Sequence, residues 1–553
     1  MITGKRQFAS SPDVLLVTES DHFLPATDFH QTPSSFSPVY EYLAAPLRDL
    51  SLPLQYVLDS PQRCVLASLA GYLFHRGFSC EIADNIFRNQ CESERFEALL
   101  GAHPAILGIS TSSLHRIESV AAIAGKVRRL SPSSVIVMGG CGLNFAPGMS
   151  AYADIVVAGD GEIALGEILE AVKSGRKITD MQLALPSVVT KEGNILLVEG
   201  RRDFSAGNLP AWAAYKKCNS TCFPVETSKG CRHSCVFCSY PERGNQDYRP
   251  IAQVINELRY LIDDMGAKYV RFIDTNLTSD PGYVKSLCNH MEREKLKIPW
   301  SCFARIDDMA KDRDMCLCMA DAGCFWIYSG IESGDPGMLE RMDKEYGLED
   351  IEDGVKNAGT AGIAVHGNFV MGFPGETEAT VRRTYEMIKR SGIDTVSFTV
   401  LGITASMAEM SVQNPEKYGH MTRYSRQWRH STMDFESALR STNEIIHSIT
   451  METDKPLIAA HGIAMYYLLG AGIDFAGVTD YFSAIRGYHR AKAGGNDGDA
   501  KACAARIRDI YAKTACNFGW PQIQPQEGCI PGFSMTGDTD VRVTAAGHAI
   551  GDE

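Results

Sequence analysis

Four short apolar runs punctuate the first 200 residues: Asp13-Val-Leu-Leu-Val-Thr18, Ala105-Ile-Leu-Gly-Ile-Ser110, Val135-Ile-Val-Met138 and Ile155-Val-Val157. Each is bounded by glycine or polar residues, the pattern of parallel strands covered on both faces. Between the second and third runs, Ile117, Val120, Ala124 and Val127 recur at helical spacing and predict a helix with one apolar face. Strand–helix alternation predicts a doubly wound sheet, with ligands beyond the carboxyl ends of its strands. The loops at those ends are Ser110–His115, Gly139-Gly140-Cys141-Gly142 and Gly159-Asp160-Gly161-Glu162.

A second alternating region covers 205–400. Val254, Ile255, Leu258, Leu261 and Ile262 mark a helix, and Val381, Tyr385 and Ile388 another. Strands are predicted at Tyr269–Asp274, Trp300–Ile306, Phe325–Ile331 and Ile363–Met371. Repeated units of this kind fit an open or closed (β/α) barrel. The remainder is less regular, with a glycine-rich break at 494–498. The predicted fold class is therefore α/β: a doubly wound, Rossmann-like domain over 10–204, a (β/α) partial barrel over 205–400, and a mostly helical, substrate-covering domain over 401–553.

Composition narrows the function. The chain has 553 residues and a formal net charge of −13. An acidic chain is poorly suited to binding nucleic acid, which needs clustered positive charge. No apolar run reaches the length of a membrane span, and Met1–Pro12 lacks the apolar core of a signal peptide. Seventeen cysteines in so long a chain point to reduced thiols in a cytoplasmic protein, some buried and some free to bind metal. Gly159-Asp-Gly-Glu-Ile-Ala-Leu-Gly166 misses the dinucleotide fingerprint, because its third glycine comes two residues late. No phosphate-binding loop, zinc-protease motif or nucleophile elbow is present.

The strongest chemical signal is Lys229-Gly-Cys-Arg-His-Ser-Cys-Val-Phe-Cys-Ser-Tyr240. Cys231, Cys235 and Cys238 can wrap one metal centre from a single loop. Three readings follow from spacing alone. The first is zinc, with His233 as a further ligand. A ferredoxin-like cluster is the second, with a fourth cysteine from Cys218, Cys222, Cys316, Cys318 or Cys324. The third is a cluster with one iron left open to a small molecule.

The triplet, with Phe237 before its third cysteine, resembles the signature of the radical S-adenosylmethionine (SAM) superfamily. Later segments resemble it in the same order: Phe272-Ile-Asp-Thr-Asn276, Ser301-Cys-Phe-Ala-Arg-Ile-Asp307, Ile327-Tyr-Ser-Gly-Ile-Glu-Ser333 with Leu339–Lys344, and Asn368–Thr377. The resemblance implies a [4Fe–4S] cluster on Cys231, Cys235 and Cys238. It further implies SAM chelated to the open iron and cleaved by one electron to a 5′-deoxyadenosyl radical. Phe237, Tyr240, Asp274, Asn276, Arg305 and Glu332 are the implied SAM-side residues, with Arg305 and Asn276 near its carboxylate and amino groups.

The domain in front resembles that of the cobalamin-binding radical SAM subfamily at Ser112-Ser-Leu114, Gly139-Gly140 and Val157-Ala-Gly-Asp-Gly-Glu162. The implied cobalamin contacts are Ser112, Leu114, Gly139, Gly140, Gly159, Gly161 and Glu162. Methylthiotransferases, a competing subfamily, carry additional N-terminal cluster cysteines. Here Cys64, Cys80 and Cys91 fall in or beside predicted helices, and no basic C-terminal barrel is evident.

What the resemblance implies is a cobalamin-dependent radical SAM methyltransferase. Its acceptor would be an unactivated carbon or a phosphinate phosphorus of a small biosynthetic intermediate. A cyclase or rearrangement enzyme using the same cofactors is the alternative, and a non-catalytic redox sensor a remote third. An external donor such as flavodoxin or ferredoxin would supply the electron. Asp28-Phe-His30 begins like a cobalt-ligand loop, but Pro33 stands where a glycine is needed. His30 is therefore expected to leave cobalt unligated.

Overall fold

The computed structural model describes residues 12–19, 37–50, 64–84, 86–87, 90–114, 116–145, 147–176, 196–200, 204, 209–215, 220–238, 240, 244–402, 407, 411–419, 428–459 and 463–517. Asp28, His30 and Pro33 lie outside the described residues, as do His115 and Cys218.

The first sheet has six parallel strands in the order β2-β1-β3-β4-β5-β6. They are β1 Val14–Thr18, β2 Cys80–Asp84, β3 Ile106–Ser110, β4 Val135–Gly139, β5 Ile155–Gly159 and β6 Leu196–Gly200. Alternation divides each apolar run between two cores. Leu15 and Val17 share one with Leu107, Ile109, Ile136 and Met138, while Val14 and Leu16 share the other with Ile82, Ile106 and Val137. The helix Ile117–Leu130 packs on the first through Val120, Ile123, Ala124 and Val127. Ile117, the helix's first residue, is instead 37% exposed, close to Gly148. Helices Cys64–His75 and Gly161–Lys173 pack on the second core.

This strand order is the flavodoxin-like form of the doubly wound sheet, whose switch point lies between β1 and β3. The sequence did not reveal β2 and β6. In β2, Glu81 interrupts the apolar pattern; it is buried because Arg95 holds its carboxylate at 2.7 Å. Cys80, expected in or beside a helix, opens that strand.

The second sheet is also parallel throughout, in the order β15-β14-β13-β12-β11-β10-β7. Its strands are β7 Cys222–Val225, β10 Tyr269–Phe272, β11 Trp300–Phe303, β12 Cys324–Glu332, β13 Ala364–Met371, β14 Thr395–Val400 and β15 Leu457–Ile458. A hairpin of β8 Ser228–Cys231 and β9 Asn245–Tyr248 follows β7. Helix Ile251–Asp263 buries Val254, Ile255, Leu258 and Leu261 as its periodicity requires. In helix Glu378–Ser391 the buried stripe is Thr380, Thr384, Met387 and Ile388, with Val381 and Tyr385 at its margin.

Two boundaries need correction. The barrel sheet does not stop at residue 400, since β15 pairs with β14. Two residues are too short a run to show as a strand in sequence. Nor do the late helices form a separate cover. Phe435–Glu452, Phe475–Ala493 and Asp497–Asn517, together with Ser37–Asp49 from the N-terminal region, share one core with Val270, Ile327 and Phe398. Helix Ile463–Gly470 reaches the amino end of β7, where Thr221 donates from N to Gly470 O (2.9 Å) and from Oγ1 to Leu469 O (2.7 Å). That is the side opposite the cysteine loop. Nearer the carboxyl edge, Trp428 packs against Gly372 and His430 Nε2 lies 3.1 Å from the Gly372 carbonyl.

Candidate cluster and cofactor site

The cysteine loop leaves the carboxyl end of the barrel through β8. Gly230 makes this turn possible: its φ is +94°, and a Cβ there would lie 2.1 Å from Asn245 O. The loop is pinned at both ends. Gly244 N donates to Cys231 O (2.7 Å), Cys238 N to Cys235 O (3.1 Å) and Val236 N to Met342 O (3.2 Å). Tyr240 N points at Cys238 Sγ (3.4 Å), and Tyr240 Oη accepts from Gly230 N (3.3 Å). A backbone N–H directed at sulfur suits a thiolate, which is an acceptor.

The facing wall is a buried charged network. Lys344 Nζ donates to Gly330 O (2.8 Å) and Glu332 Oε1 (3.2 Å). It lies 5.8 Å from the Phe237 ring and 5.4 Å from the Tyr346 ring. Glu332 reaches it because the register of β12 against β13 shifts between Gly330 and Glu332, and Glu332 adopts φ +70°. A positive φ at a non-glycine residue is strained and needs surrounding contacts to hold it. Arg305 donates from Nε to Asp307 (2.9 Å) and from Nη2 to Lys344 O (2.6 Å). Burial opposes charge on Lys344, but Tyr346, Glu332 and Cys235 hold its pKa above the usual lysine value. Burial pushes the Cys235 thiol up, while Lys344 and Arg305 oppose that rise. Burial also pushes Tyr346 up to about 12.

The first sheet presents its carboxyl edge to this region. Ser112, Gly140, Cys141 and Gly159 are exposed there, while Gly139, Gly161 and Glu162 are half-buried. Gly140 has φ +113°, and a Cβ on it would fall 2.8 Å from Ser112 N; Gly159 has φ +87°. The edge exposes glycine backbone at Gly140 and Gly159, and the Ser112 backbone packed against Gly140 leaves no room for a side chain there. Asp160 bonds to Lys229 of β8, and Lys229 also lies 3.7 Å from Glu226. Burial, with Asp274, Glu162 and Asp160 nearby, pushes Glu226 up to about 7 against the pull of Lys229.

Residues 225–388 match the family model of the radical SAM superfamily, and residues 63–169 match that of the B12-binding domain. The chain belongs to the cobalamin-binding radical SAM family. As an enzyme of that family it uses a [4Fe–4S] cluster, SAM and cobalamin. It is 28% identical over 333 residues to the uncharacterized methyltransferase PH0819 of Pyrococcus horikoshii, covering 58% of this chain and 72% of the relative. The anaerobic magnesium-protoporphyrin IX monomethyl ester cyclase of Rubrivivax gelatinosus is 23% identical over 343 residues, 59% of this chain and 61% of the relative. The alignment thus spans less than two thirds of that cyclase. A likeness of fold links the chain to the radical SAM methyltransferase TsrM of Kitasatospora setae, solved with cobalamin and a [4Fe–4S] cluster. That match has TM-score 0.56 and 18% identity, and covers 91% of this chain and 100% of the other.

The donor set fits the radical SAM cluster. Cys231, Cys235 and Cys238 are half-buried on one loop facing two cationic side chains. His233, the extra ligand of the zinc reading, lies 3.0 Å from Glu345 Oε2 through its Nδ1. Among the described residues no group of three or more His, Cys, Asp or Glu converges as on a single metal ion. Cys222 and Cys324 open strands at the amino end of the barrel. Cys316 points its thiol at the carbonyls of Met309 and Asp312, and Cys318 at that of Lys285.

Phe237, Arg305 and Glu332 come together around Lys344, and Tyr240 sits within the cysteine loop. Three other expected contacts have partners within the fold itself. The Leu114 side chain is 0% exposed, inside the sheet's core. Asp274 accepts from Thr227 N and Oγ1 and from Ser228 Oγ, tying β10 to the strand that enters the cysteine loop. The Asn276 amide is engaged within the barrel: Oδ1 accepts from Arg305 N (3.0 Å) and Nδ2 donates to Asp308 (2.9 Å). Lys229 and Lys344 lie at the ends of two of the motif segments but carry no assigned role from sequence, and Tyr346, a lone tyrosine, has no motif signal of its own.

Proposed function

We propose that this protein is a cobalamin-dependent radical SAM methyltransferase acting on a small biosynthetic intermediate. The observation carrying this reading is the apposition of the bare carboxyl edge of the first sheet to the cysteine loop, joined by Asp160 and Lys229. When bound, the cluster delivers one electron to SAM and the cobalamin carries the methyl group. The chain's own residues bind and orient. Cys231, Cys235 and Cys238 supply the thiolates. Arg305 and the Lys344–Glu332 pair offer a cation and a carboxylate for the polar end of SAM. Gly140 and Gly159 let backbone approach the corrin. The cluster of Met338, Met342, Phe373 and Trp428, with Phe237 at its margin, keeps water from that side.

Reconstituted enzyme supplied anaerobically with reductant and methyl-deuterated SAM tests the reading against candidate substrates. A methyltransferase yields labelled product and forms both 5′-deoxyadenosine and S-adenosylhomocysteine. A cyclase yields unlabelled product and no S-adenosylhomocysteine, which would replace this reading. Mass spectrometry of the product also identifies the acceptor atom, carbon or phosphorus.

A further inference from the structure

Asp160 stands at the N-cap of helix Gly161–Lys173, where aspartate ordinarily accepts from the helix's own backbone. Its side chain makes no such bond. The carboxylate is given to Lys229 of β8 instead, and both side chains are 16% exposed. The two residues belong to different sheets. Asp160 follows Gly159, the last residue of β5 on the cobalamin side, and Lys229 precedes the cluster ligand Cys231 by two residues. β8 is itself held from behind, because Ser228 Oγ donates to the buried Asp274 (2.6 Å) and Gln246 Nε2 donates to Ser228 Oγ (2.8 Å).

We propose that Lys229 is a positioning residue that ties the Gly159–Glu162 turn to the cluster loop and so fixes the separation of the two cofactor edges. The reason is geometric. Displacing a reacting group by about 1 Å can cost on the order of 100-fold in rate. The two cofactor edges belong to separate sheets with separate cores, so their spacing depends on contacts between the sheets. An ion pair sheltered from water is screened less than one in solvent. The backbone at each end is fixed as well, by the strand hydrogen bonds of β8 and by the helix that begins at Gly161. Glu226 Oε2 also lies 3.7 Å from the same ammonium.

The test uses the holoenzyme in a state with both Co(II) cobalamin and the reduced cluster present, and needs no substrate. Electron paramagnetic resonance reads their spin–spin coupling, and hydrogen exchange reads peptides covering 155–165 and 228–240. The unaltered protein should show one narrow distance. Lys229→Met and Asp160→Asn should each broaden it and speed exchange in both peptides. The double variant should be no worse than either single one, because the pair acts as a unit. Lys229→Arg, which keeps the charge, should restore most of the narrow distribution. Asp160→Asn, placed in the other domain, keeps the test valid should Lys229→Met fail to fold. An unchanged distance in Asp160→Asn, or effects of the two variants that simply add, would overturn the proposal. A narrow distance in the unaltered protein that broadens in the variants, but with no labelled methyl product from the unaltered protein, would instead count against the proposed function alone.

Discussion

Lys344 Nζ lies 3.2 Å from Glu332 Oε1, and both side chains are buried, at 5% and 9% exposure. A buried pair of this kind is maintained by its whole surroundings: the Gly330 carbonyl, two aromatic rings, and the backbone twist that turns Glu332 inward.

Removing one partner should therefore cost far more than removing both. Lys344→Met leaves a buried carboxylate without compensation and should destabilise the fold by about 3–5 kcal/mol. Lys344→Met with Glu332→Gln should recover a large part of that loss. Denaturant unfolding of the three proteins measures this. Equal stability of Lys344→Met and the parent would show that the pair does not matter.

Each cysteine of the loop should be needed. Replacing Cys231, Cys235 or Cys238 singly by alanine should abolish SAM cleavage, and the reconstituted parent should contain about four irons per chain. Iron analysis and 5′-deoxyadenosine formation report the two effects. A triple alanine variant that still binds a full cluster would sink the assignment.

Arg305 and Asn276 should separate in their effects. Arg305→Ala removes a cation from the site and should weaken SAM binding roughly 10- to 100-fold, the range of a charge-assisted hydrogen bond at about 1.5–3 kcal/mol, with iron content unchanged. Asn276→Ala removes no charge and loosens the Arg305 backbone that its side chain holds at 3.0 Å, so its effect should be smaller. Equilibrium dialysis with labelled SAM reads both. Undiminished SAM binding in Arg305→Ala would take that residue out of the site.

Glu376 should make stability depend on pH. Burial pushes its carboxyl up to about 8 from 4.5; the Gly372 N–H opposes this and Asp335 adds to it. The native state then holds a proton that the unfolded chain releases near its ordinary pKa. Stability associated with this group is therefore full below about pH 4.5 and falls as pH rises towards 8. Glu376→Gln should gain melting temperature relative to the parent at pH 8 to 9, and the gain should shrink towards pH 5. A difference that is the same at all pH values would show that Glu376 does not titrate in this window.

Local patterning determined a great deal here. The alternation within Val14–Thr18 or Ile106–Ser110 follows from which side chains can be buried on a covered sheet, and that is written in consecutive residues. The cysteine triplet is equally local, because three ligands on one loop need no distant partner. Tertiary structure alone decided β15, the docking of helix Ser37–Asp49 on the barrel, and the inward turn of Glu332. It also decided that Asp160, by type a helix cap, bonds across domains to Lys229. Periodicity records how buried each residue of an element must be, but not which surface buries it. Nor does it say which of many carboxylates an ammonium will meet once residues 69 positions apart are folded together.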